Sequence, residues 1–377
     1  MANNTRVLYT STMSEKKNPK IALVCDWLTN FGGAERVILA LHEMYPQAPI
    51  YTSIYNPAKM QGFENAYVVP SFLQKLPKAK TKWQLYLPWM PFAFEQFDLS
   101  EYDVVLSSCH SCSKGVLTLP QTKHICYCHT PMRYVWDNFH QYIKEAPYPG
   151  IMKKLGQHYL HKIRMWDRLA AERVDEWYGN SKYICSRIKK YYQKDAKHLY
   201  PPVNTSMLGI ANKVGNYYLA LGRLISYKRF DIVVEAFNEL GLPLLIAGTG
   251  PEESKLKKMA KPNITFLGRV PDYELKDLYS HCKAFIFPPL EDFGIVPLEA
   301  QACGRPVIAY RAGGSMETVK EGFTGEFIDE QNTAALVQAL KKFQPNKYDP
   351  QKVRKWAMEF SAEKFKERVR EIVNSEK

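Results

Sequence analysis

No apolar run in the 377 residues approaches the ~18 needed for a membrane-crossing helix; charge or proline interrupts every apolar cluster. The opening text, MANNTRVLYTSTMSEKKNPK, has neither the apolar core nor the small-residue cleavage site of a secretory leader. It reads as a polar lead-in over residues 1–19. Zinc-finger spacing and RNP-type aromatic motifs are also missing, which counts against nucleic acid as a partner. Cysteine is sparse, with eight residues in the chain, and suits a reducing compartment better than a disulfide framework. Cys109, Cys112, Cys126 and Cys128 lie near His110 and His129, but the second pair is C-x-C and the text around it is strand-like. Buried free thiols are therefore expected there, and no metal.

Hydrophobic residues make up 46% of the chain and charged residues 24%, a globular balance. The length exceeds one ordinary core and points to two domains. Net charge is +13, which suits phosphate-bearing ligands or an anionic membrane surface. Phe72 to Phe94 combines Lys75, Lys78, Lys80 and Lys82 with Trp83, Tyr86, Leu87, Trp89 and Phe92. Such a segment fits a membrane interface. It equally fits a core helix with a solvated lysine-rich approach.

Strand-like and helix-like stretches alternate. KIALVCD is followed by a glycine turn and the amphipathic AERVILALHEM; YDVVLSS, KHICYCH and EWYGNS are further strands. Met152 to Arg173 reads as a long helix, and Asn180 and Ser181 can cap the next one. HLYPPVNTSM reads as a linker. A second series then runs from YYLALGRL to PVIAY. Strict alternation predicts parallel sheets covered on both faces. The fold class is α/β: two doubly wound, Rossmann-like domains, 20–202 and 203–345, facing a central cleft. A C-terminal helical stretch, 346–377, can pack on either domain.

Ligands of such sheets bind beyond the C-terminal strand ends. Three turns fall there. NFGGAER places Gly32 and Gly33 before the first helix, where backbone N–H groups can approach a phosphate; a plain tight turn is the alternative. LGRLISYKRFD places Gly222, Arg223 and Lys228 after a strand, cations that suit phosphate oxygens. GTGPEE gives Gly248 a similar turn. The segment EDFGIVPLE then sets Glu291 and Glu299 eight residues apart. Glu291 is expected in the loop after a buried strand and Glu299 about one turn into the following helix. Gly294, Ile295 and Val296 mark that helix's positive end, where a diphosphate can rest. Paired carboxylates also occur in glycosidases, but the phosphate turns beside them argue against hydrolysis of a plain glycan.

The order GGAE, GRL…K, GTGPE and E-x7-E resembles the retaining glycosyltransferases of family 4, which have the two-domain GT-B fold; the resemblance spans about residues 20–340. It implies that Arg223 and Lys228 hold a nucleotide diphosphate, that Glu291 binds donor-sugar hydroxyls, and that Glu299 binds the ribose. Gly32 and Gly33 would approach the diphosphate or the acceptor. His129, in YCHTPMRYVWD, matches the family's histidine beside the reacting sugar; a core histidine is the alternative. Many members read Lys-Gly where this chain has Lys228-Arg229. The YKRFD and HTPMRYVWD versions look like polysaccharide and O-antigen mannosyltransferases. In GRVPDYEL, Val270 would meet a base edge, and Asp272 aligns with a position that accepts guanine protons, although it can also cap a helix. The resemblance therefore implies a hexosyltransferase using GDP-mannose, with no cofactor and, since no Asp-x-Asp occurs, no metal. The expected acceptor is a glycan or lipid-linked sugar. The expected location is cytoplasmic, peripheral on the inner face of the cytoplasmic membrane. A UDP-sugar transferase, a nucleotide-sugar epimerase and a non-catalytic basic glycan- or lipid-binding protein are the rivals.

Overall fold

The structure, a computed structural model, describes residues 19–145, 149–205 and 208–375. The polar lead-in expected over 1–19 lies outside these residues apart from its last position, as do two residues of the expected linker.

Among the described residues the first sheet has seven parallel strands in the order β3-β2-β1-β4-β5-β6-β7. These are β1 (Ile21–Cys25), β2 (Ile50–Thr52), β3 (Val68–Pro70), β4 (Val104–Cys109), β5 (Lys123–Cys128), β6 (Glu176–Gly179) and β7 (Lys197–His198). The second has six, in the order β10-β9-β8-β11-β12-β13. They are β8 (Tyr218–Leu221), β9 (Leu244–Ala247), β10 (Ile264–Gly268), β11 (Phe285–Phe287), β12 (Val307–Tyr310) and β13 (Gly325–Ile328). In β1, β4 and β5 every residue is buried, as expected of strands covered on both faces. Both orders reverse direction once, between β1 and β4 and between β8 and β11. Those switch points open crevices at the C-terminal strand ends.

Three local expectations change. The linker-like HLYPPVNTSM begins as β7, which extends the first sheet beside β6. The C-terminal stretch is two helices, Pro350–Met358 and Ala362–Asn374. At the break, Val203 bridges Ser361. Ala357 and Phe360 pack with Phe293, Leu298 and Ala302 of the second half, whereas Phe365, Val369 and Val373 enter the first half's core beside Leu23 and Leu106. The chain thus crosses back between the halves. The buried Lys123 holds the crossing helix: its Nζ donates to the carbonyls of Ile372 (3.3 Å) and Ser375 (3.0 Å).

Phe72 to Phe94 is not one helix. It forms the 3-10 turns Phe72–Lys75 and Trp83–Trp89 and the short helix Met90–Glu95. Pro77, Pro88 and Pro91 deny the backbone donors a continuous helix requires. Leu73, Ala79, Met90, Ala93 and Phe94 are buried, while Phe72, Leu85, Trp89 and Phe92 are exposed.

Candidate active site

The turn that carries Arg223 and Lys228 is built by two glycines. Gly222 has φ +155° and Gly248 φ +125°. A Cβ at Gly248 would lie 1.9 Å from the Gly222 carbonyl oxygen. Only glycine therefore lets these strand ends close. They close through Gly222 N–H to Ala247 O (3.0 Å) and Gly248 N–H to Gly268 O (2.7 Å). Arg223 emerges exposed, and its guanidinium makes no ion pair among the described residues. Lys228 ends the 3-10 turn Ser226–Lys228 and pairs with Glu291. Both side chains are mostly shielded, at 20% and 17% exposure. Burial, with Glu291 nearby, pushes the Tyr227 hydroxyl up to about 12.

Glu291 and Asp292 occupy the loop after β11. Gly294, at φ +95°, caps the helix Ile295–Ala302, placing Ile295 and Val296 in its first turn. The Val296 side chain is partly buried against the core cluster that holds Leu219 and Phe287. Glu299 is the fifth residue of the helix. Its Oε1 accepts from Arg36 Nη1 (2.6 Å), and its Oε2 accepts from the Tyr279 hydroxyl (2.8 Å). Arg36 comes from the first helix of the other half, Gly33–Met44. A Cβ at Gly33 would lie 3.5 Å from Ile295 Cδ1, so the glycine loop faces the EDFG helix directly. Gly32 is the preceding N-cap.

Asp272 is the first residue of the helix Asp272–His281 rather than its N-cap, which is Pro271, and its side chain makes no capping bond. It is exposed, and its charge reaches Arg36. Val270 lies partly exposed two residues after β10.

On the first sheet, His129 follows β5. Its Nε2 is 2.8 Å from Ser108 Oγ. Burial, reinforced by His110, lowers its pKa to about 3, so the ring is neutral. His129 is linked to the EDFG loop through its neighbour: Thr130 Oγ1 accepts from Arg187 Nη1 (2.7 Å), which also donates to Asp292 Oδ1 (3.0 Å).

The sequence reading missed the charges that cross the cleft. Arg133 lies 2.7 Å from Asp292 Oδ2. Glu317 accepts from the backbone N–H of Lys182 (2.9 Å) and Tyr183 (3.1 Å), so a carboxylate of the second half caps a helix of the first. Arg133 and Asp292 stand inside the quoted motifs HTPMRYVWD and EDFGIVPLE, the one signal available. Asp26, at the end of β1, was also missed. It is fully buried and accepts four backbone N–H groups, from His110 (2.6 Å), Ser111 (2.9 Å), Cys112 (2.6 Å) and Ser113 (2.7 Å). The nearby Cys109, Cys112, Cys126 and Cys128 are buried free thiols. Among the described residues no three His, Cys, Asp or Glu side chains are grouped to hold a metal. Nor is any helix among them long and apolar enough to cross a membrane.

The family model "Glycosyltransferase Family 4" matches residues 31–207, and "Glycosyl transferases group 1" matches 210–375. An uncharacterized glycosyltransferase of Methanocaldococcus jannaschii is 28% identical over 184 residues, covering 48% of this chain and 52% of its own. A GDP-mannose-dependent alpha-(1-6)-phosphatidylinositol monomannoside mannosyltransferase of Mycolicibacterium smegmatis is 34% identical over 140 residues, 32% of this chain and 37% of its own. O-antigen chain mannosyltransferase C of Escherichia coli is 30% identical over 139 residues, 35% of this chain and 38% of its own. This chain thus spans about half of the first relative and just over a third of the other two. Among solved structures, Anabaena HepE in complex with UDP and glucose superposes with a TM-score of 0.70 at 16% identity, covering 95% of this chain and all of its own. Sucrose-phosphate synthase of Thermosynechococcus elongatus gives 0.72 at 17% identity, covering 94% and 98%. At such identities the likeness is one of fold, and both share the paired parallel sheets. With its two halves matched in order by the two family models, the chain belongs to the family 4 glycosyltransferases of GT-B fold.

Proposed function

We propose that the protein is a retaining hexosyltransferase that moves mannose from GDP-mannose onto a glycan or lipid-linked acceptor. The observation that carries this reading is the convergence of Lys228–Glu291 and Arg36–Glu299 at one cleft. A diphosphate resting between the Arg223–Lys228 turn and the first turn of Ile295–Ala302 would meet two cations and unpaired amides. Glu291 would turn its free oxygen toward donor-sugar hydroxyls, and Glu299 would accept from ribose hydroxyls. The guanine assignment is supported by Asp272, exposed beside Arg36, and by the mannosyltransferases among the relatives. In this mechanism the acceptor oxygen bonds to the anomeric carbon on the face the diphosphate leaves. The departing phosphate takes the acceptor's proton, while Arg223 and Lys228 balance its charge. No cofactor or metal is assigned a step. The neutral His129 would accept or donate a hydrogen bond beside the reacting sugar.

The acceptor side is proposed to work at the inner face of the cytoplasmic membrane. Support comes from exposed Phe72, Leu85, Trp89 and Phe92 beside exposed Lys78, Lys80 and Lys82.

Thermal unfolding with GDP, UDP and ADP in parallel tests the donor. A nucleotide at about 100 times its dissociation constant adds ~2.7 kcal/mol to the folded state. A shift with GDP alone is expected. A shift with UDP alone would replace the donor and keep the transferase; no shift with any of the three would remove the nucleotide site.

A further inference from the structure

The crevice between β1 and β4 holds polar groups that the donor site does not use. His110 Nδ1 lies 3.1 Å from Asp26 Oδ2, and 26% of the His110 side chain is exposed. Asp26 is pinned by four backbone donors, so its position is fixed by the loop it organises. A carboxylate beside Nδ1 selects the tautomer protonated on that nitrogen. Nε2 then carries a bare lone pair, and it has no hydrogen-bond partner among the described residues. Trp27 stands edge-on to the imidazole at 4.5 Å and stacks on Trp83 at 3.9 Å. Trp83 opens the 3-10 turn that carries the exposed Leu85 and Trp89. Glu35 and His129 are the other titratable groups around the ring.

We infer that His110, positioned by Asp26 and flanked by Trp27, is a hydroxyl-binding residue of an acceptor-sugar subsite. An aromatic surface with one oriented hydrogen-bond acceptor suits the mixed apolar and hydroxyl faces of a pyranoside. Nε2 accepts from a hydroxyl next to the reacting one, so the reacting proton remains free to pass to the departing phosphate. The Trp27–Trp83 stack joins this subsite to the lysine-rich surface, which places a lipid-linked sugar's headgroup at the ring and its tail toward the exposed aromatics. The inference rests on the transferase reading and adds to it the place where the acceptor binds.

The test uses full-length protein, GDP-mannose, and octyl glycosides of mannose, glucose, galactose and N-acetylglucosamine. His110→Ala is expected to raise the acceptor KM about tenfold, the loss of one hydrogen bond to a polar ligand. The donor KM and the thermal shift with GDP are expected to hold. His110→Gln, whose amide oxygen can stand where Nε2 stood, is expected to recover most of the loss. An unchanged acceptor KM in His110→Ala, or a loss that glutamine does not recover, overturns the subsite. If the wild-type protein shows neither transfer nor any nucleotide shift, it is the transferase reading that fails. Two-bond ¹H–¹⁵N spectra, with His110→Gln assigning the resonance, decide the point without turnover. A ring protonated at Nδ1, whose Nε2 signal moves on adding octyl mannoside, supports the subsite. A ring protonated at Nε2, or one unmoved by all four glycosides, overturns it.

Discussion

Replacing Lys228 by alanine separates two roles that the structure superimposes on one side chain. In the ligand-free protein Lys228 neutralises Glu291, and both are mostly shielded from water. Truncating the lysine leaves a carboxylate without its cation, at a cost on the order of 1–3 kcal/mol of stability. In the reaction Lys228 would face charge developing on the diphosphate. Losing one such preorganised donor typically lowers kcat about 10²–10³-fold, or ~2.7–4 kcal/mol of transition-state stabilisation. The double variant K228A/E291Q distinguishes the two effects, because a neutral amide needs no cation. Its unfolding free energy is expected to return close to that of E291Q alone, while its turnover stays at or below that of K228A. Denaturant unfolding and initial rates of sugar transfer measure the two quantities. Turnover in K228A within a factor of a few of wild type would refute the role at the leaving group. Equal stability losses in K228A and the double variant would refute the pairing argument.

Arg36→Met removes the cation that holds Glu299 from across the cleft, and since each carboxylate oxygen has a further lone pair for a ribose hydroxyl, Arg36 orients rather than competes. The dissociation constant for GDP, by calorimetry, is expected to rise about tenfold; tighter binding would reverse that assignment. Burial lowers His124 from 6.5 to about 4. The unfolded chain therefore binds the proton first: stability is intact above pH ~6.5 and falls as the pH drops toward 4. Roughly 2 kcal/mol should disappear between pH 7 and pH 5 on this account, and His124→Asn, compared by denaturant melts at both values, should lose correspondingly less. Trp89→Glu with Phe92→Glu should abolish flotation with anionic liposomes at low salt while leaving the GDP shift unchanged; wild-type protein that never floats would remove the membrane proposal.

The alternation of strand and helix was legible because the central strands are runs of five or six residues buried on both faces, as IALVC and VVLSSC are. Four short strands at or next to a sheet edge were not. IYT, VVP, KH and GEFI are too short to show a period, and pairing with a neighbour already in place makes them strands. The prolines that break Phe72 to Phe94 were visible, yet its amphipathic composition suggested a single segment. Motif order placed Glu291, Glu299, Arg223 and Lys228 near one another in space. The partners of those residues were illegible, because Arg36 and Glu299 are 263 positions apart and Arg187 and Asp292 are 105 apart. Nothing local distinguishes such an arginine from one in solvent.

Those partners explain why EDFGIVPLE carries acids at both ends. Its apolar middle is structural: Phe293 and Leu298 pack with Ala357 and Phe360, and Gly294 turns the chain into the helix. The two carboxylates then look toward cations of different origin. Glu291, before the turn, meets Lys228 from the same half; Glu299, inside the helix, meets Arg36 from the other. Asp292, adjacent to Glu291, meets Arg133 and Arg187, again from the other half. One nine-residue segment therefore ties the Arg223–Lys228 turn to the opposite half. A charge change at Glu299 should disturb cleft geometry and donor affinity together, since the group proposed to grip the ribose also holds the two halves in register.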